Sequence, residues 1–188
     1  QTVLDIFDVF AAICEKYEIP YFVQGGTAIG AVRHRGYIPW DDDIDVGMLR
    51  DDYERFLQVA PGELAPTYEI IDGYHDKNCP DYITRISKIG TKQVSKEHTK
   101  YKVDNLGISM DIFPYDNVPE DKALRKKQVR ARDWYNRLHI LWCIPNPDIP
   151  GKGLKPMLMK ASCFVAHFFI RLFASGDRIG QKHKQALM

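Results

Sequence analysis

The sequence lacks an excess of charge of either sign. Its 188 residues include 26 Lys and Arg against 25 Asp and Glu. Proteins that bind nucleic acid through phosphate contacts usually carry a strong basic balance. We therefore expect no nucleic-acid partner, and any anion-binding site has to be local. Hydrophobic residues at 45% and charged residues at 27% are typical of a soluble globular domain.

Cysteine is scarce, and its positions form no recognised motif. The chain has four cysteines: Cys14, Cys79, Cys143 and Cys163. The absence of a C-x-x-C pair argues against a zinc ribbon or a disulfide scaffold. His75, Cys79 and His98 also lack the compact spacing of a zinc site. This pattern favours a reducing cytoplasm, where we expect the protein either free or associated with the inner face of the cell membrane.

A clear targeting or membrane-spanning segment is also lacking. The opening residues are amphipathic and acidic, unlike the basic and apolar regions of a signal peptide. Four polar side chains interrupt the apolar segment 154–175: Lys155, Lys160, His167 and Arg171. A membrane span is therefore not predicted. The stripe through Phe164, Phe168 and Leu172 is predicted to pack on the domain core, or on a further C-terminal part of the protein, with peripheral membrane contact as the alternative.

Helical and strand-like periods alternate in irregular order along the chain. The apolar spacing predicts five helices. The first ends before Pro20, the second covers 28–35, the third follows Asp51, the fourth covers 120–139, and the fifth is the final apolar segment. Short strands are predicted at 21–23, 43–48, 68–71, 82–89 and 108–113. This order predicts an α+β, or mixed α/β, fold with a small mixed sheet flanked by helices.

The domain organisation is predicted from length and composition. A chain of 188 residues suits one globular domain. We expect a catalytic domain over 1–144, a Pro- and Gly-rich break over 145–153, and a C-terminal helical segment over 154–188.

Carboxylates recur at every second residue after Trp40. In an extended chain Asp41, Asp43 and Asp45 point to the same side, because side chains alternate with a period of two. Crowded carboxylates repel one another unless a cation neutralises them. Mg²⁺ and Mn²⁺ are hard ions that take carboxylate and phosphate oxygens as ligands. The pattern predicts such a metal site, with a solvated acidic turn as the alternative.

A calcium-binding EF-hand loop also begins with D-x-D-x-D. Counted from Asp41, the sixth position is Val46, where the sharp turn needs Gly, and the twelfth is Asp52, where a bidentate Glu is expected. Calcium binding of that kind is therefore not predicted.

Gly25, Gly26 and Thr27 lie between a predicted strand and a predicted helix. Bare glycine backbone at that place allows close approach of a phosphate, and the N–H groups of the helix would point at it. The three residues are a candidate phosphate-binding turn, although a Gly-Gly pair alone is also typical of an ordinary turn.

The acidic cluster and the glycine turn belong to one longer pattern. Its residues are Gly25-Gly26-Thr27, Gly30, Arg33-His34, Gly36 and Ile38-Pro39-Trp40-Asp41-Asp42-Asp43-Ile44-Asp45-Val46-Gly47. Taken together they resemble the signature of the LicD family. That family includes bacterial phosphorylcholine transferases and is related to fukutin and the fukutin-related protein. The resemblance implies a nucleotidyltransferase-like fold, in which a strand, a glycine turn, a helix and a strand bearing D-x-D form the active site.

The resemblance also implies roles for individual acids. Asp43 and Asp45 match the paired metal ligands, and Asp41 matches an additional acid of the family. A third metal-binding carboxylate is expected on a neighbouring strand, and we assign it to Asp111, which has apolar neighbours on both sides. Asp116 is the alternative. Asp111 or Asp41 is the expected acceptor of the hydroxyl proton.

Basic and aromatic residues near these acids are candidates to bind the substrate. The candidates for phosphate binding are Arg33, His34, Arg85 and Lys88, with Arg33 favoured because it follows the glycine turn. Trp40 could stack on a base or on a choline group. We favour instead a packing role in which Trp40 fixes the acidic loop.

The implied activity is Mg²⁺- or Mn²⁺-dependent transfer of phosphocholine, or a similar phospho-alcohol, from a CDP-linked donor such as CDP-choline. The acceptor is a hydroxyl of a cell-surface glycan precursor of the teichoic acid or lipopolysaccharide type, which can be lipid-linked. A nucleotidyltransferase that releases pyrophosphate and a noncatalytic glycan-assembly domain remain alternatives. No Tyr-Gly-Asp motif of the family follows Asp116, so its C-terminal part is not recognised in this chain.

Overall fold

The fold is known from a computed structural model, which describes residues 2–72, 74, 81–93 and 107–188. The described helices are α1 (Thr2–Lys16), α2 (Gly25–His34), α3 (Arg50–Glu63), α4 (Lys122–Cys143), α5 (Leu154–Phe173) and α6 (Gly176–Leu187). The strands are β1 (Phe22–Val23), β2 (Asp45–Leu49), β3 (Tyr68–Asp72), β4 (Thr84–Lys88) and β5 (Ser109–Tyr115). The three residues considered for zinc, His75, Cys79 and His98, lie outside the described residues.

The five strands form one mixed sheet in the order β1-β2-β5-β4-β3. β2 and β5 are parallel, whereas the other neighbouring pairs are antiparallel. The helices α1 and α3 flank the sheet and pack on its central strands. The predicted fold class, a small mixed sheet with flanking helices, is therefore confirmed.

The core lies between the sheet and these two helices. Ile6, Phe10 and Ile13 recur at helical spacing along α1 and are buried, as expected for the inner face of an amphipathic helix. The Phe10 ring lies 5.1 Å from the ring of Phe56 on α3. Val46 and Ile112, paired across β2 and β5, are fully buried in the same cluster. Alternation along the strands then places Asp45 and Asp111 on the other face of the sheet.

A buried ion pair ties the start of α3 to the end of β5. Nε and Nη2 of Arg50 each donate a 2.7 Å hydrogen bond to the carboxylate of Asp116. Both side chains are largely withdrawn from solvent. Asp116, the alternative to Asp111 in the predicted metal set, therefore has a bidentate arginine partner typical of a structural role.

The chain divides into two compact units. One contains α1 to α3 with the sheet, and the other contains α4 to α6 with Tyr74 and Tyr82. This division differs from the predicted boundary at residue 144, because α4 packs against α5 and α6.

The second unit has a ring stack at its centre. Tyr82 is stacked between His139 and His183, with ring centroids 4.3 and 4.1 Å away.

The C-terminal helical segment predicted over 154–188 is divided into two helices at Ser175, whose side chain accepts a hydrogen bond from the backbone N–H of Arg178. A separate helix, α6, starts there and was not distinguished in the sequence.

None of the described residues covers the α5 stripe, so packing on the domain core is not observed, and packing on a further C-terminal part stays a prediction. Phe164, Phe168 and Leu172 are 57%, 64% and 63% exposed. α5 is also long and apolar enough to cross a membrane by length and composition, and it is the one helix of the described chain with that property. The apolar pattern identified the helix but could not show whether another part of the chain covers it.

Gly47 allows two rings to cover β2. Phe22 and Tyr115 meet edge to face with centroids 4.9 Å apart. A Cβ added at Gly47 would lie against the Phe22 ring and 2.9 Å from a ring carbon of Tyr115. The glycine is therefore required by close packing, because interiors have no space for an extra methyl group.

We expect Gly47→Ala to lower the free energy of unfolding by about 2 kcal/mol through overpacking. Gly62→Ala is the matched control, because nothing lies within 4 Å of the added Cβ. It should leave stability unchanged or raise it by up to about 1 kcal/mol, since Ala favours helix. Urea denaturation of both variants measures the difference. An alanine at position 47 that cost no more than the control would contradict this packing argument.

Candidate active site

Three charged side chains form a row across neighbouring strands. Asp111 on β5 is paired in register with Asp45 on β2 and with Arg85 on β4. Nε of Arg85 lies 3.1 Å from Oδ1 of Asp111. The expected position of Asp111 on a strand beside Asp45 is therefore observed, and its role as a metal ligand stays a prediction. Arg85, predicted to bind phosphate, is the ion-pair partner of this acid.

The glycine turn is the first turn of α2 rather than a loop before it. α2 begins at Gly25, where φ is 55°, a value that favours glycine. A Cβ at Gly25 would lie 2.8 Å from Oδ2 of Asp45, and one at Gly26 would lie 2.6 Å from Oδ2 of Asp41. The two glycines thus make room for carboxylates at the positive end of a helix.

Thr27 holds the start of β2. Its Oγ1 accepts a 2.9 Å hydrogen bond from the backbone N–H of Asp45. This contact links α2 directly to the strand that carries the acid. Binding of substrate by Thr27, Gly25 and Gly26 stays a prediction.

The acids before β2 form a compact group of oxygen ligands. One ligand atom each from Asp41, Asp42 and Asp43 lies within 4.8 Å of the others. Over the described part of the chain, no other three acidic, His or Cys side chains come this close together. The group shares only Asp43 with the predicted metal set of Asp43, Asp45 and Asp111. The difference arises because β2 begins at Asp45, so the alternation of an extended strand does not govern residues 41–44.

Burial and crowding disfavour the charged forms of two of these acids. Burial, followed by the charges of Asp45 and Asp41, raises the pKa of Asp43 from 3.8 to about 6. Burial and the charge of Asp41 also raise the pKa of Asp45. Both shifts show that the charged forms are disfavoured in the metal-free protein. A divalent cation would reverse this penalty, and three carboxylates are a ligand set that Mg²⁺ or Mn²⁺ fits.

Tyr37 supports the acidic loop. Its hydroxyl donates a 2.9 Å hydrogen bond to the backbone carbonyl of Asp43. Burial and then the charges of Asp41, Asp43 and Asp42 raise the pKa of Tyr37 to about 12. The phenol therefore stays protonated at neutral pH and remains a donor.

A cleft opens beside this loop. Its volume is about 510 Å³, and its lining includes Tyr37, Asp41, Asp42, Lys92 and Ser109. It is within the size range of small-molecule sites. Lys92 adds a positive charge to the wall of the cleft that holds two acids, an arrangement able to contact both a phosphate and a hydroxyl.

Three other residues predicted to bind phosphate, Arg33, His34 and Lys88, do not line this cleft. Arg33 and His34 lie in the last turn of α2, although the His34 ring contacts the ring of Trp40, next to Asp41. Lys88 shares its strand face with buried Ile86, not with Arg85. Arg33 was favoured on the assumption that residues 25–27 form a turn before the helix, but these residues are already the first turn of α2.

Trp40 is exposed rather than packed. Its side chain is 81% exposed, and its ring meets the His34 ring edge to face at 5.9 Å between centroids. The favoured packing role is therefore wrong, and the indole is accessible to a ligand. Its binding role stays a prediction.

Sequence reasoning missed three residues of the site. Alternation along an extended strand would direct Asp42 away from Asp41 and Asp43, so that pattern did not identify it. Its place in an unbroken run of acids was the available signal. Tyr37 and Lys92 had no such signal, since only the folded chain brings them to the cleft.

Comparison with known families places most of the chain in a family with a nucleotidyltransferase domain. Residues 18–137 match the family described as LicD/FKTN/FKRP, nucleotidyltransferase domain, and the chain belongs to the LicD family. The chain is 42% identical over 143 residues to the lipopolysaccharide cholinephosphotransferase LicD of Haemophilus influenzae. That match covers 74% of this chain and 52% of the relative.

Other relatives match only about a quarter of the chain. An uncharacterized protein of Rickettsia typhi is 48% identical over 46 residues, which are 24% of this chain and 15% of that protein. Human ribitol 5-phosphate transferase FKRP is 40% identical over 51 residues, which are 27% of this chain and 10% of that protein. The chain thus spans about half the length of the first of these relatives and much less of the others.

The raised pKa of Asp43 predicts how stability depends on pH without metal. Between about pH 4 and 6 the folded state keeps a proton that the unfolded state loses, so the contribution of Asp43 to stability falls as pH rises. Asp43→Asn should therefore raise the melting temperature by a few degrees near pH 7.5, corresponding to about 1 kcal/mol after allowance for solvent screening.

The gain from Asp43→Asn should shrink near pH 4.5, where most Asp43 side chains are already protonated. Exposed Asp8 on α1 offers a matched control, and Asp8→Asn should show no such gain. Scanning calorimetry in chelator measures both variants. A destabilised Asp43→Asn protein near pH 7.5 would show that the carboxylate is not under repulsion.

The contact between Gly26 and Asp41 predicts an effect on metal binding. Gly26→Ala should displace the Asp41 carboxylate and weaken Mn²⁺ binding about tenfold, as for other residues that position metal ligands. Gly36→Ala should change nothing, because no atom lies within 4 Å of its added Cβ. Titration calorimetry with Mn²⁺ compares the two. Equal affinities in both variants would remove Asp41 from the metal-binding group.

Proposed function

We propose that this chain forms the catalytic part of a transferase that moves phosphocholine, or a similar phosphate-linked alcohol, onto a hydroxyl of a cell-surface glycan precursor. The observation that carries the proposal is the oxygen-ligand group of Asp41, Asp42 and Asp43 beside the cleft. The names of two relatives give the class of transferred group, cholinephosphate in one and ribitol 5-phosphate in the other.

The proposed donor is CDP-linked, and the proposed acceptor is a teichoic acid or lipopolysaccharide precursor, free or lipid-linked. The cytoplasm, or the inner face of the cell membrane, is the proposed location. Support for a glycan acceptor comes from the name of the Haemophilus influenzae relative, a lipopolysaccharide cholinephosphotransferase.

Mg²⁺ or Mn²⁺ is the proposed cofactor. Asp41, Asp42 and Asp43 would hold it, and Asp45 lies close enough to Asp43 to raise its pKa. When bound, the ion would supply positive charge to the donor phosphates and to the leaving nucleotide.

The side chains of the cleft provide the other parts of the reaction. The acceptor oxygen attacks the phosphorus next to the alcohol, the bond to the CMP oxygen breaks, and CMP leaves. Asp41 is our choice as acceptor of the hydroxyl proton, because it lines the cleft, whereas Asp111 is engaged by Arg85. Lys92 is placed to contact a donor phosphate.

Two further residues would position these groups. Tyr37 holds the backbone of Asp43 and so fixes the acidic loop relative to the cleft. Trp40 offers an exposed ring one residue before Asp41, suited to stack on cytosine or to attract a quaternary ammonium.

The products distinguish this proposal from its alternatives. With CDP-choline, Mg²⁺ and a glycan precursor, the protein should release CMP. Asp43→Asn should reduce the rate about 100-fold or more, as expected when metal-centred charge stabilisation is lost. Asp8→Asn is the control and should retain full activity.

Other outcomes would contradict the proposal. Pyrophosphate release from CTP would identify a nucleotidyltransferase. Donor binding in the presence of Mg²⁺ with neither product formed would instead favour a noncatalytic glycan-assembly domain.

A further inference from the structure

α5 presents a continuous apolar face on the side away from α4. Six side chains fall within an arc of about 120° at 100° per residue, and each is at least 53% exposed: Leu154, Leu158, Phe164, Val165, Phe168 and Leu172. We call these six residues the outward face. Single exposed apolar residues are ordinary, but a contiguous patch of this kind marks an interaction surface.

The opposite side of α5 is already engaged. Nδ1 of His167 lies 2.6 Å from the carbonyl oxygen of Leu141 on α4. The guanidinium of Arg171 lies over the Trp142 ring at 5.1 Å from its centroid. These contacts fix which side of α5 faces α4, so the outward face is directed away from the rest of this unit.

Charge around the outward face has one sign. The segment 151–173 contains no Asp or Glu. Helical geometry places Lys155 on one flank of the face and Lys160 on the other. Long basic side chains on both flanks can reach anionic headgroups while their alkyl stems stay near the apolar boundary. A soluble partner would need an acidic border around an apolar groove, whereas an anionic membrane supplies both features at once.

The contacts with α4 favour a helix in the plane of the membrane over one that crosses it. In a crossing helix His167 would lie within the hydrocarbon, where ionisable groups are costly. Its ring lies instead at the α4 contact, away from the outward face. Only that face has to enter the boundary between headgroups and acyl chains.

We propose that α5 docks the protein peripherally on an anionic membrane surface, with the outward face in the headgroup–acyl boundary. This inference does not depend on the transferase activity, because binding is measured without donor or acceptor. It assigns a partner to a surface that contains none of the candidate active-site residues.

Vesicle sedimentation tests the docking. The protein should sediment with vesicles of equal parts phosphatidylglycerol and phosphatidylcholine at low salt, and much less with phosphatidylcholine alone. High salt should weaken the binding, because surface charge is screened. The double variant Phe168→Gln and Leu172→Gln should lose at least about tenfold in partition coefficient, since each change removes a large apolar side chain.

The matched control removes apolar side chains of similar exposure elsewhere in the same unit. Val118 and Leu124 are 60% and 57% exposed, and the double variant Val118→Gln and Leu124→Gln should bind vesicles like the wild type. Circular dichroism checks that each variant is folded. A further variant, Lys155→Gln with Lys160→Gln, should reduce the preference for phosphatidylglycerol while leaving weak binding to phosphatidylcholine unchanged.

Several outcomes would overturn the proposal. One is the absence of sedimentation with anionic vesicles at low salt. Another is equal loss of binding in the α5 variant and the Val118 and Leu124 control. A third is a wild-type dimer, measured by light scattering, that fails to bind vesicles and becomes monomeric with Phe168→Gln and Leu172→Gln. That result would assign the outward face to a second copy of the chain.

Discussion

The mutual repulsion of the carboxylates around β2 is the constraint on which the site depends. Burial, followed by the charges of Asp45 and Asp41, raises the pKa of Asp43 to about 6. A fold that holds like charges together in this way gives up stability in the metal-free state. Binding of a divalent cation would recover that free energy, so the same arrangement that strains the protein is suited to the proposed transfer chemistry.

The surrounding structure holds these acids in place. The parallel pairing of β2 and β5 sets Asp45 beside Asp111, and the hydroxyl of Thr27 accepts a hydrogen bond from the Asp45 backbone. On the loop, Tyr37 binds the carbonyl of Asp43. Gly26 leaves space for the carboxylate of Asp41. Each of these residues either binds the backbone of an acid or leaves space for its carboxylate. The sequence pattern shared with the family therefore includes residues other than the acids themselves.

Much of this arrangement could be predicted from local patterns, and the failures have physical reasons. The family resemblance implied an acid on a strand beside that of Asp45, and the apolar neighbours of Asp111 identified it as that acid. Its pairing with Arg85 depends on strand order, which no local pattern shows. Asp42 was missed because the run of acids was treated as a strand, although the strand begins only at Asp45. The exposure of α5 could not be predicted, because an apolar stripe looks the same whether it is covered or not.

The proposed reaction requires a divalent cation bound by Asp41, Asp42 and Asp43. Anomalous diffraction from crystals grown with Mn²⁺ would locate the ion without reference to activity. We expect a peak with Asp41, Asp42 and Asp43 oxygens as ligands at about 2.2 Å, a distance typical of hard cations. A fully occupied peak elsewhere, or no peak at a Mn²⁺ concentration that saturates the protein in solution, would contradict this assignment.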